Sequence, residues 1–288
     1  MKDIGSDIIK ELYKERNEDA RKYDHGMVLV IGGSDIYTGS PILSAMAAMR
    51  AGADIAQIIA PQRAADAGAV YGPDLITFPL SGSHLSGKHL GKLLALTRGA
   101  KDVSRGKLAV VLGGGVGRAE ESKRVIREYV KKTDIPIVVD ADGIYAFEGE
   151  KVEVNNERII FTPHLYEFFI LTGKNANLLS REERAYAVKE SAKDLGCTIL
   201  LKGMVDIVSD GESVELNKMS VPQMTIGGTG DVLAGVTGAL LAKGHSLLEA
   251  GKGAAVVNTM AGELAAKEKG ESIIATDVID KIHQVINQ

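Results

Sequence analysis

Short apolar runs rich in β-branched residues alternate with helical stretches along most of this 288-residue chain. The runs at 27–31, 54–60, 108–112, 135–139, 158–161 and 198–201 have the length and composition of strands. Helical patterning fills 41–51, 88–98, 119–132, 165–172 and 181–195. Strands that are apolar on both faces, with helices between them, predict an α/β fold whose parallel sheet is covered on both sides. The segments 205–208 and 213–216, joined through Asp210-Gly211, predict a β-hairpin that adds an antiparallel edge. Beyond it the chain reads as helical to its end, at 230–243, 247–268 and 276–286.

Ile8, Ile9, Leu12 and Tyr13 mark one face of a charged stretch. They predict an N-terminal helical extension over 1–24, ahead of a single domain over 25–288. No apolar run has the length of a signal-peptide core or a bilayer span, so a cytoplasmic protein is expected. The net charge of -4 argues against a nucleic-acid partner. Cys197 is the only cysteine, which excludes an internal disulfide, and its apolar neighbours predict a buried packing residue.

Glycine-rich turns follow several predicted strands, where open α/β sheets place their ligands. In the first, Gly32-Gly33 leads through Thr38-Gly39 to Ser40-Pro41, which has the form of a helix N-cap and first helical residue. The Ser40 hydroxyl could cap that helix or bind a substrate oxygen. The second, Gly113-Gly114-Gly115-Val116-Gly117, lacks the dinucleotide spacing because Arg118 occupies its sixth position. A third, from Gly82 to His89, has P-loop spacing but puts histidine where a magnesium-binding hydroxyl is needed, so it reads as a helix start.

The fourth turn, Gly227-Gly228-Thr229-Gly230-Asp231, carries the most chemistry. Its glycines allow successive N–H groups to point inward at a helix start, forming an anion cradle. Asp231 falls at the same terminus. It is either a charge cap on the helix dipole or a base that removes a proton from a hydroxyl while the cradle stabilises a moving phosphoryl group. Lys202 ends a strand and could meet a phosphate or merely snorkel. His164 and Glu167 could orient a substrate or share a metal. Asp140 and Asp142 could reach a hydrated magnesium ion or hold turn amides. Gly235 and Gly238, inside a helix, need a packing or ligand reason, since each costs about 1 kcal/mol against alanine.

Six segments in order carry a family resemblance: 28–41 (VLVIGGSDIYTGSP), 112–117 (LGGGVG), 137–143 (IVVDADG), 161–167 (FTPHLYE), 201–203 (LKG) and 227–235 (GGTGDVLAG). From about residue 25 onward the chain resembles the ADP-dependent (S)-NAD(P)H-hydrate dehydratases of the ribokinase-like superfamily. The resemblance implies a three-layer sandwich with a mainly parallel central sheet and helices on both faces. It implies that hydrated NADH or NADPH (NADHX, NADPHX) is phosphorylated by ADP and then loses phosphate, giving NAD(P)H, AMP and phosphate.

By position, Asp231 would be the base, and Gly228 and Gly230 would stabilise the phosphoryl. Ser40, Gly115, Gly117, His164 and Asp231 would contact the hydrated cofactor. Lys202, Gly203, Met204, Val205, Asp206, Gly227, Thr229 and Gly230 would contact the adenine nucleotide. Mg2+ is implied without a ligand set, as are a homo-oligomer (a tetramer), no membrane partner, and a separate epimerase as functional partner. The family usually has a small apolar residue at Ser40 and a proline at Gly114, and 218–224 departs from its glycine-containing pattern. Two other readings remain: an ATP-dependent vitamin-precursor kinase of the same fold, and a non-catalytic nucleotide sensor.

Overall fold

A computed structural model of the protein describes residues 1–149, 156–219 and 221–288. Its strands are β1 (Lys2–Asp3), β2 (Met27–Ile31), β3 (Ile55–Pro61), β4 (Ile76–Leu80), β5 (Leu108–Leu112), β6 (Ile137–Val139), β7 (Ile159–Phe161), β8 (Thr198–Leu201), β9 (Asp206–Ser209) and β10 (Val214–Asn217). They form one sheet in the order β1-β10-β9-β8-β7-β6-β5-β2-β3-β4. Only β9 runs antiparallel to its neighbours.

The helices are α1 (Ile8–Leu12), α2 (Gly39–Arg50), α3 (Gln62–Tyr71), α4 (Leu90–Val103), α5 (Glu120–Lys132), α6 (Leu165–Thr172), α7 (Arg181–Leu195), α8 (Thr229–Ala242), α9 (Leu247–Lys269) and α10 (Ala275–Ile286). Successive strand residues point to opposite faces, so β2 divides between two cores. Val28 and Val30 pack with α1, α2, α3, α8, α9 and α10. Met27, Leu29 and Ile31 pack with α4, α5, α6 and α7. Three layers result, as expected for the ribokinase-like sandwich.

The predicted strands and helices are present, with ends shifted by a few residues. Three elements went unread. β4 contains Pro79 and is the outermost strand, the position where a missing N–H is tolerated. α3 starts directly from Pro61 without a side-chain cap. β1 is two exposed residues paired parallel with β10, so the hairpin is not the sheet edge as expected; β1 is. Ile8, Ile9 and Leu12 of α1 are buried, which joins the N-terminal stretch to the core.

Gly235 and Gly238 have packing reasons. A Cβ on Gly235 would lie 2.2 Å from the Ser44 carbonyl oxygen of α2. One on Gly238 would lie 2.5 Å from Val111 of β5. Together they let α8 lie directly against α2 and the sheet. From β2 the chain builds outward through β3 and β4, and then returns to place β5 on the other side of β2. The crevice beyond the C-terminal ends of β2 and β5 is therefore the topological switch point. Both early glycine turns open there.

Candidate active site

Five strand ends (β2, β5, β6, β7 and β8) and three helix starts (α2, α6 and α8) meet at this crevice. After β2 and β5 the glycine turns touch: the Gly33 N–H donates to the Gly114 carbonyl at 2.8 Å. Gly113, with φ of +124°, must be glycine, because a Cβ would stand 2.2 Å from the Asp140 carbonyl oxygen. Asp142 holds the same turn, accepting from the Gly117 N–H at 3.1 Å and from Arg118 Nε at 3.0 Å. The Arg118 guanidinium in turn lies 3.8 Å over the Tyr145 ring. Of the two readings for Asp142, the structure supports the one in which it holds turn amides.

The turn before α8 is built as an anion cradle. Gly228 takes φ of +95° at the N-cap, and a Cβ there would strike Leu43 and Ala275. The Thr229 hydroxyl donates to the carbonyls of Met224 (3.0 Å) and Ile226 (3.2 Å), fixing the loop from behind. No acceptor among the described residues takes the N–H groups of Gly227, Gly228, Thr229, Gly230 or Asp231. Successive unpaired donors at the positive end of a 14-residue helix attract an anion.

Asp231 lies in the first turn of α8, and its Oδ1 accepts a hydrogen bond from the Ser40 hydroxyl. Ser40 therefore does not cap α2, which begins at Gly39; its hydroxyl is turned to Asp231. The Ser44 hydroxyl donates to the Asp231 carbonyl at 3.0 Å, tying the two helix starts together. Burial pushes the Asp231 carboxyl up to about 7, with Asp140 adding to the rise and Ser40 and Lys202 opposing it. A base in that range is matched to neutral pH.

Beside it, Lys202 Nζ lies 2.7 Å from Asp140 Oδ1 and 3.9 Å from Glu167 Oε2. Burial works against its charge, but the two carboxylates outweigh that and raise its pKa. Lys202 thus does not snorkel to open solvent; two carboxylates match its charge at the cavity wall. A Cβ on Gly230 would lie 3.2 Å from Nζ, so the ammonium reaches the edge of the cradle. Asp140 also accepts from the Thr162 hydroxyl at 2.8 Å. Burial raises the pKa of Glu167; Lys202 opposes the rise and Asp140 adds to it.

His164 is the N-cap of α6. Its Nδ1 accepts from the N–H groups of Tyr166 and Glu167, and Glu167 returns a bond to the His164 N–H at 2.8 Å. That arrangement fixes the tautomer, leaving Nε2–H to face Glu167 at 3.3 Å or the crevice. Burial lowers the His164 pKa, which favours the neutral ring. The pair caps α6, and no group of three metal-ligating side chains occurs among the described residues.

The loop from Lys202 to Asp206 joins β8 to β9. Asp206 accepts from the Gly203 N–H at 3.1 Å and from Asn217 Nδ2 at 3.1 Å, so it shapes the loop from within. Burial raises its carboxyl to about 6. Met204 is exposed and Val205 partly buried. With Thr229 and Gly230, this loop walls a cavity of about 700 Å³. The same cavity reaches Met219, Pro222 and Met224 of the 218–224 stretch, of which Ser220 lies outside the described residues. A Cβ on Gly262 would lie 2.1 Å from the Met224 sulfur, so that glycine makes the seat for Met224.

Sequence reasoning missed Thr162, Asn217 and Asn258, which serve or line this region. The available signal was polarity in apolar surroundings, as where Asn258 follows Ala254, Ala255, Val256 and Val257. The near P-loop is a helix start: Ser86 and His89 form a capping box, and buried His89 donates toward the Ser81 carbonyl. Cys197 is buried, and its thiol is pushed up to about 12 by that burial.

The open, mostly parallel α/β sheet with helices on both faces defines a ribokinase-like fold. A ribokinase-like superfamily protein from Enterococcus faecalis has the same fold, with a TM-score of 0.85 at 22% identity, covering 100% of this chain and 95% of the other. The chain belongs to the NAD(P)H-hydrate dehydratase family, whose sequence model matches residues 28–284. A bifunctional NAD(P)H-hydrate repair enzyme from Pyrobaculum aerophilum is 43% identical over 99% of this chain and 55% of its own length. This chain thus spans about half the length of the bifunctional relatives it matches. An ADP-dependent (S)-NAD(P)H-hydrate dehydratase from Cenarchaeum symbiosum is 35% identical, with 98% of this chain and 96% of the relative aligned. A Bacillus subtilis ADP/ATP-dependent NAD(P)H-hydrate dehydratase, co-crystallised with ATP and Mg2+, superposes with a TM-score of 0.79 at 22% identity, covering 99% of this chain and 98% of the other.

Proposed function

We propose that this chain uses ADP to dehydrate (6S)-NADHX and NADPHX, yielding NADH or NADPH, AMP and phosphate. The observation that carries the reading is Asp231, with its raised pKa, placed at a cradle of unpaired N–H groups. Asp231 takes the proton from the ring hydroxyl as that oxygen attacks the β-phosphorus of ADP. The bond from that phosphorus to the AMP oxygen breaks, and the amides from Gly227 to Gly230 stabilise the charge on the transferring group. The ring nitrogen then pushes electrons toward the C–O bond, phosphate leaves, and loss of a ring proton gives the dihydronicotinamide.

Ser40 orients the base through Oδ1. Tyr37, Gly115, Gly117 and the Nε2–H of His164 border the cofactor's side of the crevice. Gly115 keeps it open, since a Cβ there would lie 2.8 Å from Tyr37. Lys202, Gly203, Met204, Asp206, Thr229 and Gly230 line the nucleotide cavity, and Val205 and Gly227 complete that side in this reading. Asp140, Glu167 and Asp231 outnumber the single Lys202 there, and an anionic nucleotide adds further negative charge. That donor set fits Mg2+ held mainly by phosphates and water, with Asp140 and Glu167 as the protein's oxygen donors. Such an ion would neutralise phosphate charge.

The family match supports a catalytic domain over 25–288, with 1–24 as an N-terminal extension knitted onto it. Among the described residues no helix is long and apolar enough to cross a membrane; a cytoplasmic setting is part of the proposal. A homotetramer and a separate epimerase acting on the same substrate complete the reading. Phosphate release from hydrated NADH in the presence of ADP tests it. A kinase would instead build a stable phosphate ester from ATP, and a sensor would turn over nothing; no phosphate release overturns the proposal.

A further inference from the structure

One buried polar side chain in the nucleotide cavity has no partner. Asn258 of α9 is 9% exposed and lines the cavity, and its buried Oδ1 accepts no hydrogen bond. Its neighbours satisfy one another. Asn217 Nδ2 donates to Thr259 Oγ1 at 2.9 Å and to the Ala255 carbonyl at 3.1 Å, and the Thr259 hydroxyl donates to Ala255 at 2.8 Å. Asn258 is left out of that network, although it stands one residue away from it. Buried carboxamides are nearly always hydrogen-bonded, so an orphan on a cavity wall calls for a ligand group.

The surroundings say which kind. Thr229, Gly230 and Lys202 of the cavity wall suit phosphates. Met204, Met219 and Met224 of the same wall offer polarizable thioethers to a flat ring, and Asn258 lines the cavity with them. A carboxamide presents an acceptor beside a donor. Adenine presents the complementary pair, its 6-amino group beside a ring nitrogen, whereas guanine and hypoxanthine place a carbonyl oxygen where the amino group stands.

We propose that Asn258 is the residue that selects adenine in the nucleotide, accepting from its 6-amino group and donating to the adjacent ring nitrogen. This rests on the nucleotide reading given above. The selection needs no change of backbone, only the amide plane turned to the base.

The test compares ADP, IDP and GDP as co-substrates for wild type and Asn258→Leu, with hydrated NADH held saturating. Wild type should prefer ADP to IDP by about 10–100-fold in kcat/KM, the discrimination of one bidentate contact. Asn258→Leu should raise the KM for ADP about tenfold and bring the ADP:IDP ratio close to one. Its Tm should be equal or higher, because an unpaired buried amide is replaced by an apolar group of similar size. A variant that folds and keeps the wild-type ADP:IDP ratio overturns the assignment. If ADP supports no turnover in wild type, the proposed function itself fails, and this inference with it.

Discussion

The Ser40 hydroxyl donates to Oδ1 of Asp231 across 191 residues of sequence, joining the first turn of α2 to the first turn of α8. Gly114 makes this contact possible. A Cβ at 114 would lie 2.3 Å from Ser40 Oγ and 2.8 Å from Asp231 Oδ1. The resemblance implies proline at 114 and a small apolar residue at 40. This chain instead has a hydroxyl and a glycine, which occupy the same space the other way round.

The pair predicts a shift in the pH profile. Asp231 must be ionised to act, so kcat should rise with pH through a midpoint near 7. Ser40 lowers that pKa by hydrogen bonding to the carboxylate. Ser40→Ala should therefore move the acid limb to higher pH, measured as kcat against pH with both substrates saturating. Gly114→Ala should be damaging alone and partly rescued by adding Ser40→Ala, since the closest contact is then gone. An acid limb that does not move in Ser40→Ala would remove Ser40 from the account.

Asp231→Asn should keep nucleotide binding and lower kcat by roughly 10²–10⁴-fold, the usual contribution of a general base. Isothermal titration of ADP alongside a turnover assay separates the two. A sensor protein would retain its ligand response, with no turnover to lose.

The same substitution should stabilise the fold, in a way that depends on pH. A carboxyl whose folded pKa is raised contributes fully below its unfolded value and loses that contribution as pH rises through the folded one. For Asp231 the window runs from 3.8 to about 7. Thermal melts of Asp231→Asn should match wild type below that window and exceed it by several degrees at pH 8. A constant difference across pH would mean that the carboxylate is not strained by burial.

Much of this was legible in the chain, and the exceptions have physical causes. The apolar strands from β2 to β8 announce themselves because both faces are buried, β4 apart. β4 does not, because an edge strand with Pro79 and three partly or fully exposed residues carries neither alternation nor a continuous apolar run. The cradle and Asp231 were readable because glycines at a helix start restrict what the backbone can do. Ser40's partner was not, since only the switch of strand order at β2 brings the two helices together. The partners of Lys202 were not readable for a related reason: Asp140 and Glu167, which match its charge, come from two other crossovers.

Lys202→Met should destabilise the protein by about 3–5 kcal/mol, because it leaves Asp140 and Glu167 buried without a cation. Adding Asp140→Asn should recover part of that loss. Urea unfolding of the two single variants and the double variant gives the coupling. A Lys202→Met protein as stable as wild type would mean that the ion pair is not formed in solution.

Gly235→Ala should cost about 1–3 kcal/mol through overpacking, since the new methyl meets the backbone of α2 and not a side chain that can turn away. Its Tm relative to wild type checks this. Losing activity beyond the loss of stability would show that α2 and α8 must keep their spacing for Ser40 to reach Asp231.

The reaction proposed is phosphorylation of the ring hydroxyl, with Asp231 as its base, as a step toward dehydration. Phosphorus NMR of a reaction with (6S)-NADHX and ADP, run beside NADH absorbance, measures it directly. NADH, AMP and inorganic phosphate should appear in equal amounts, and roughly 10²–10⁴-fold more slowly with Asp231→Asn. A stable phosphorylated product without NADH, or NADH formed without consumption of ADP, would contradict it.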